Sequence, residues 1–92
     1  MKIIGKKTLE EFKTAHADAR PHLSAWENEV ATATWKNHHE LKSKYPKASI
    51  LQGNEVIFNI RNNYYRLQTK IDYVNQIVLV KKIGSHKEYM NW

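Results

Sequence analysis

The chain contains no cysteine, only three glycines and only two prolines in 92 residues. Without cysteine there is no disulfide framework and no thiolate metal site, which fits a reducing, cytoplasmic setting. With so few glycines and prolines there is no low-complexity segment and no flexible linker. Apolar runs are short. None approaches the ~20 residues that a membrane helix needs, so no membrane role is expected. The opening MKIIGKKTLEEF carries charges where a signal peptide has a continuous apolar core. Acidic residues are scarce too: nine Asp and Glu stand against 15 Lys and Arg, a net charge of +6. That field favours polyanionic partners (RNA, DNA or an acidic protein), although many small domains are basic for solubility alone. The length makes a single domain over residues 1–92. A chain of this size buries roughly 60–65% of its unfolded surface, enough for one modest core.

The first half has helical spacing. Lys2–Gly5 reads as a short strand closed by Gly5. Thr8-Leu9-Glu10-Glu11 has the S/T-x-x-E form of a capping box, and Leu9, Phe12, Ala15 and Ala19 follow at helical intervals. Pro21 suits the first turn of a second helix, whose apolar stripe is Leu23, Trp26, Val30 and Ala33. Asn37-His38-His39-Glu40 begins a third, with Leu41 and Tyr45 on one face and Pro46 ending it. The second half changes period. EVIFNI, YYRLQTKI and QIVLVKKI are rich in β-branched and aromatic residues, and turns fall at Arg61-Asn62-Asn63 and Asp72–Asn75. The expected class is α+β, with helices packed on one face of a small, mostly antiparallel sheet.

A two-residue turn at Asn62-Asn63 sets Arg61 opposite Tyr64, Asn59 opposite Arg66 and Ile57 opposite Gln68. One face then carries Asn59, Arg61, Tyr64, Arg66, Gln68 and Lys70, and is basic, amide-bearing and aromatic. The other carries Val56, Phe58, Ile60, Tyr65, Leu67 and Ile71, and is the one the helices would cover. The last strand is apolar on both faces from Ile77 to Val80, which suggests a central position. Alternation alone does not say whether Lys81 or Lys82 joins the basic face.

That strand runs into Gly84-Ser85-His86-Lys87-Glu88-Tyr89. Ser85 and Glu88 form a second capping box, so Glu88 is expected to close a helix start rather than act as a base. His86 then lies in the first turn, where free N–H groups attract anions and disfavour imidazolium. A neutral imidazole takes a proton and an imidazolium returns one. With Tyr89 one turn on and Arg66 on the adjacent strand, these groups suit phosphoryl transfer on RNA without a metal. The 2′-hydroxyl attacks its own phosphate, a guanidinium stabilises the developing charge, and an acid protonates the leaving 5′-oxygen. On spacing alone, a surface histidine and a solvated arginine are the commoner outcome. His16, His22, His38 and His39 have no H-E-x-x-H pattern or converging carboxylates, so neither metal nor cofactor is expected. Trp26 and Trp35 read as core. Lys36 is either solvated or on the RNA path, the Lys42-Ser43-Lys44 run is a solvated face, and Tyr64 either stacks on a base or packs across the hairpin.

FNIRNNYYRL (residues 58–67), YVNQIVLVKKIGSHKEY (residues 73–89) and the upstream WKN…LKSKYP resemble the HigB-type toxins of bacterial type II toxin–antitoxin systems, within the RelE-like superfamily. The likeness runs through essentially the whole chain. Its most specific part is Asn63-x-x-Arg66-Leu67 taken together with the H-x-E-Y of His86–Tyr89. The resemblance implies a RelE-like α+β domain with a twisted sheet. It implies an mRNA interferase, an endoribonuclease that inhibits translation and often cuts messages on the ribosome. Its partner would be a cognate helix-turn-helix antitoxin, with DNA reached only through that partner. On matching positions Arg66, His86 and Tyr89 carry the family's catalytic character, and Lys36 and Asn59 match as RNA-binding residues. The strand-face reading adds Arg61, Tyr64 and Lys70 to the RNA-binding set. One position departs: where the family often has Asp after H-x-E-Y, this chain has Met90. If that carboxylate moves protons or orients the tyrosine, activity here is weakened. Two rivals follow: an inactivated RNA- or ribosome-binding module, and a domain that chiefly binds an acidic protein. Direct DNA binding is disfavoured, because no helix pair offers a recognition helix.

Overall fold

The computed structural model describes all 92 residues. The helical first half forms α1 (Lys6–Ala15), α2 (Arg20–Thr32) and α3 (His38–Lys44), with a 3₁₀ turn at Ala17–Ala19. The strands are β1 (Lys2–Ile4), β2 (Ser49–Ile50), β3 (Glu55–Ile60), β4 (Tyr65–Asp72) and β5 (Ile77–Ser85), and a one-turn helix, α4 (His86–Tyr89), follows. The sheet order is β1-β5-β4-β3-β2. Only β1 and β5 run parallel; the other pairs are antiparallel. β5 therefore lies inside the sheet, between β1 and β4, but only its Val78 and Val80 face is buried; Leu79 on the other face is 40% exposed. The fold is α+β, as expected. The two-residue β2 had no pattern long enough to announce it.

The core sits between the helices and the alternating side chains of β3, β4 and β5. Val56, Phe58, Leu67, Ile71 and Val78 meet Leu9, Leu23, Trp26, Val30 and Leu41 there. Each of the large ones contributes roughly 1.5–3 kcal/mol by leaving water. Phe58 is clamped edge-to-face by Trp26 at 5.3 Å and Tyr45 at 5.1 Å. Thr69 is the polar exception on this face, and its hydroxyl donates to the Val56 carbonyl at 2.9 Å. Asn37 caps α3 by accepting from the Glu40 N–H at 3.0 Å.

Three expectations need correction. First, α1 starts at Lys6, ahead of the Thr8 capping box. Gly5 adopts φ 98°, turning the chain directly from strand to helix. The Thr8 N–H is satisfied by the Gly5 carbonyl at 3.1 Å and needs no side-chain cap. Second, Ala15 is exposed, and Lys13 is the buried residue of that turn. Its ammonium is held by Glu27 at 2.7 Å and Glu10 at 3.2 Å. Burial works against that charge, but the two carboxylates outweigh it and leave its pKa raised. Third, Arg61 does not share a face with Arg66. The pairings Asn59–Arg66 and Ile57–Gln68 are those expected. Arg61 and Asn62, however, take left-handed φ of 50° and 58°, which carries Arg61 out of the strand. Its guanidinium instead meets Asp18 at 2.8 Å, beside the Tyr65 hydroxyl, which donates to the same carboxylate at 2.7 Å.

Between β4 and β5 the ladder carries one extra residue. Thr69 pairs with Val80, but Gln68 pairs with Lys82, leaving Lys81 as a bulge. Lys81 reaches Glu55 on the open face at 3.3 Å, and Lys82 stands on that face opposite Gln68. The bulge therefore delivers both lysines to the side the helices leave uncovered.

The Asp18 tie predicts an acid-sensitive contact between the 3₁₀ turn and the hairpin. The Tyr65 hydrogen bond, with the Arg61 charge, holds the Asp18 carboxyl below its ordinary 3.8. Its contribution to stability is complete above that ordinary value and is lost as pH falls through the lower folded one. Asp18→Asn should therefore melt below wild type at pH 7. The gap should close as pH drops beneath about 3.8, as followed by thermal circular dichroism.

Candidate active site

The open face is organised in rows across β3, β4 and β5. One row is Asn59, Arg66 and Gly84; the next is Ile57, Gln68 and Lys82. Arg66 is half-buried at the hairpin end of its strand. One of its Nη atoms donates to the Asn63 carbonyl at 3.1 Å, and its guanidinium carbon lies 5.3 Å from the Tyr89 ring centre. That leaves further guanidinium donors for an anion above the sheet.

Gly84 sets the height of α4. A Cβ there would lie 3.2 Å from both Glu88 Cβ and Trp92 Cζ2, so the segment after β5 rests on bare backbone. The expected capping box is present: Ser85 Oγ accepts from the Glu88 N–H at 3.1 Å, and Glu88 accepts from the Ser85 N–H at 3.0 Å. These Ser85 bonds, the backbone one foremost, keep the Glu88 carboxyl below its ordinary value. His86 is pinned through its own N–H, which donates to the Tyr64 carbonyl at 2.9 Å. Its ring lies 6.2 Å from that of Tyr89. At four residues α4 has too little aligned dipole to be an anion site by itself; the positive charge here is Arg66.

The structure thus brings Arg66, His86 and Tyr89 to one end of the open face. Asn59 borders them: its amide donates to Asn63 at 3.5 Å, and it lines an edge cleft of about 400 Å³ with Lys44, Lys47, Asn62 and Asn63. Tyr64 is 59% exposed at the hairpin tip, where the Arg61 guanidinium covers its ring at 4.3 Å. Lys70 is on the open face but about 13 Å farther along β4 at ~3.3 Å per residue. Lys36 is not gathered in. The neighbouring Trp35 carbonyl accepts from Gln76 at 2.8 Å, beyond the far end of β4. That end lies about 20 Å from Arg66 at ~3.3 Å per residue.

Trp92 is missed by the sequence reading, and Lys82 is one of the two lysines whose face alternation does not settle. Lys82 lies 4.7 Å from the Trp92 ring, and Trp92 meets Tyr89 edge-on at 5.5 Å. One signal existed: Tyr89 with Trp92 has the three-residue spacing of one helical turn.

The fold and this cluster define a class: a small basic α+β domain whose uncovered sheet face gathers an arginine, a histidine and a tyrosine. The family model for the HigB toxin, the RelE-like toxic component of a toxin–antitoxin system, matches residues 19–92, and the chain belongs to that family. It is similar to the mRNA interferase toxin HigB of Escherichia coli K12. Identity is 23% over 91 residues, covering 97% of this chain and 88% of the relative. The proteins called mRNA interferase HigB in Escherichia coli O157:H7 and Shigella flexneri match at the same 23% and coverage.

The bare backbone under α4 generates a prediction. Gly84→Val should lift Trp92 from the sheet while the core stays folded. Trp26 and Trp35 are buried, so a rise in iodide quenching of tryptophan emission with unchanged far-ultraviolet circular dichroism reports that movement.

Proposed function

We infer that this chain is the toxin of a toxin–antitoxin pair and acts as an endoribonuclease on messenger RNA, inhibiting translation and growth. The observation that carries this is the meeting of Arg66, His86 and Tyr89 on an open, basic sheet face in a chain of the HigB family. Supporting it, the relatives at 23% identity are named mRNA interferases and match over nearly the whole chain.

In this mechanism the ribose 2′-oxygen attacks the adjacent phosphorus as the bond to the 5′-oxygen breaks. The 2′-hydroxyl proton passes to a base, and the leaving oxygen receives a proton from an acid. His86 and Tyr89 exchange these protons or hold the RNA, and Arg66 bonds the phosphate oxygens as their charge grows. None of these steps calls on a metal. Asn59, Tyr64 and Lys70 hold the flanking strand; Arg61, paired with Asp18, and Lys36, near the far end of the sheet, lie outside this contact. The message is met on the ribosome, in the cytoplasm. A helix-turn-helix antitoxin neutralises the toxin and carries any contact with operator DNA. No helix is long and apolar enough to cross a membrane.

Met90 favours one rival, a binding module without cleavage. It is 69% exposed at the end of α4, where its thioether cannot replace a carboxylate.

Induced expression with primer extension on a reporter message tests the assignment. Wild type should arrest growth and create new 5′ ends. Arg66→Ala should lower cleavage by about 10²–10³-fold, as losing an oxyanion donor does. His86→Ala should lower it by about 10²–10⁴-fold if the imidazole moves a proton. Arrest without new ends selects the binding module. RNA affinity should also fall steeply with salt, and Lys70→Ala should reduce the logarithmic slope by about 1. A flat salt response would favour the acidic-protein rival.

A further inference from the structure

Beside the Arg66 row the open face holds a hollow of about 430 Å³, walled by Leu51, Ile57, Gln68, Lys82, Tyr89 and Trp92. The proposed chemistry uses one of its walls, Tyr89, and none of the others. Its floor is apolar, since Ile57 is 5% exposed on the face away from the helices. Its rim has two aromatic rings, Tyr89 and Trp92, set edge-on at 5.5 Å. A lysine lies at 4.7 Å from the indole. The Gln68 amide nitrogen is already committed to Glu55 at 2.6 Å, which orients the amide and leaves its oxygen as an acceptor. Apolar floor, aromatic platform, one fixed acceptor and one mobile cationic donor match the faces and edges of an unpaired nucleobase.

Its place relative to Arg66 also fits. The Gln68 row lies two residues along β4 from the Arg66 row, about 6.6 Å at ~3.3 Å per residue. That is comparable with one step of an extended ribose–phosphate backbone. Trp92 spans both rows, packing on Gly84 of the first and Lys82 of the second.

We propose that this hollow is a base-specificity subsite, which takes the purine next to the scissile phosphate between Trp92, Gln68 and Lys82. The volume admits a two-ring base, and stacking on an aromatic platform strengthens with ring area. An exocyclic amine or ring N–H of the purine meets the Gln68 oxygen, while Lys82 meets a ring nitrogen or carbonyl. The subsite rests on the nuclease reading for its substrate, but its test does not depend on cleavage.

The probe is a short single-stranded oligouridine with a 2′-O-methyl block at one ribose and either a purine or uridine beside it. Trp92 is 41% exposed, while Trp26 and Trp35 are 2% and 8% exposed, so quenching of tryptophan emission by the RNA reports Trp92. The purine oligomer should quench and bind about tenfold tighter than the uridine one. With binding read instead by the anisotropy of a dye-labelled oligomer, which needs no tryptophan, Trp92→Leu and Gln68→Leu should each erase that preference while retaining binding to both RNAs. Unchanged far-ultraviolet circular dichroism serves as the folding control. Equal affinity of wild type for the two RNAs, or a preference that survives in both variants, would overturn the subsite. Discrimination by a protein that cleaves no message would sink the nuclease reading and leave the subsite standing. Cleavage at the same positions by wild type and Trp92→Leu would do the reverse.

Discussion

The pairing of β4 with β5, with its extra residue at Lys81, is the constraint on which the open face depends. In a sheet a one-residue slip sends every side chain to the opposite side. The bulge makes such a change locally. Before it, Val78 and Val80 face the core; after it, Lys82 faces outward and Ile83 packs inward. The same count puts Gly84 across from Arg66 and Ser85 across from Tyr65. Without the extra residue, α4 would leave β5 on a different side and its ring-bearing residues would miss the arginine.

The site is held mainly by backbone. His86 is fixed by its N–H to Tyr64, Arg66 by the Asn63 carbonyl, and α4 by the Ser85–Glu88 box and the missing Cβ of Gly84. Backbone anchoring leaves imidazole, phenol and guanidinium free at their working ends, which is what a substrate-binding surface needs. Charge is sorted as well. Asp18 takes Arg61 and Glu55 takes Lys81, whereas Arg66 meets two carbonyls and the Tyr89 ring but no carboxylate. A guanidinium without a carboxylate partner keeps its charge available to an anion.

Much of this was legible in the chain. Periods of 3.6 and 2 separated helices from strands, and cross-strand geometry placed Asn59 opposite Arg66. The Ser85–Glu88 box was readable because cap partners are three residues apart. Errors arose where a distant residue or an unusual φ decided the outcome. Arg61 left the basic face because two left-handed residues turned it towards Asp18, 43 positions away in sequence. Lys13 rather than Ala15 was buried because Glu27 of the next helix supplied its counter-charge. Lys36 carries the right charge but lies near the far end of the sheet.

The sequence by itself determined the class of fold, the inward face of the hairpin and the three groups suited to proton and phosphate chemistry. These depend on spacing within one element or across one turn, where covalent geometry limits the choices. Only the tertiary structure decided which cations stay free, that both lysines of the bulge face outward, and that Trp92 closes a hollow beside Arg66. Those outcomes depend on which remote carboxylate or backbone a long side chain meets, and no local periodicity encodes such meetings.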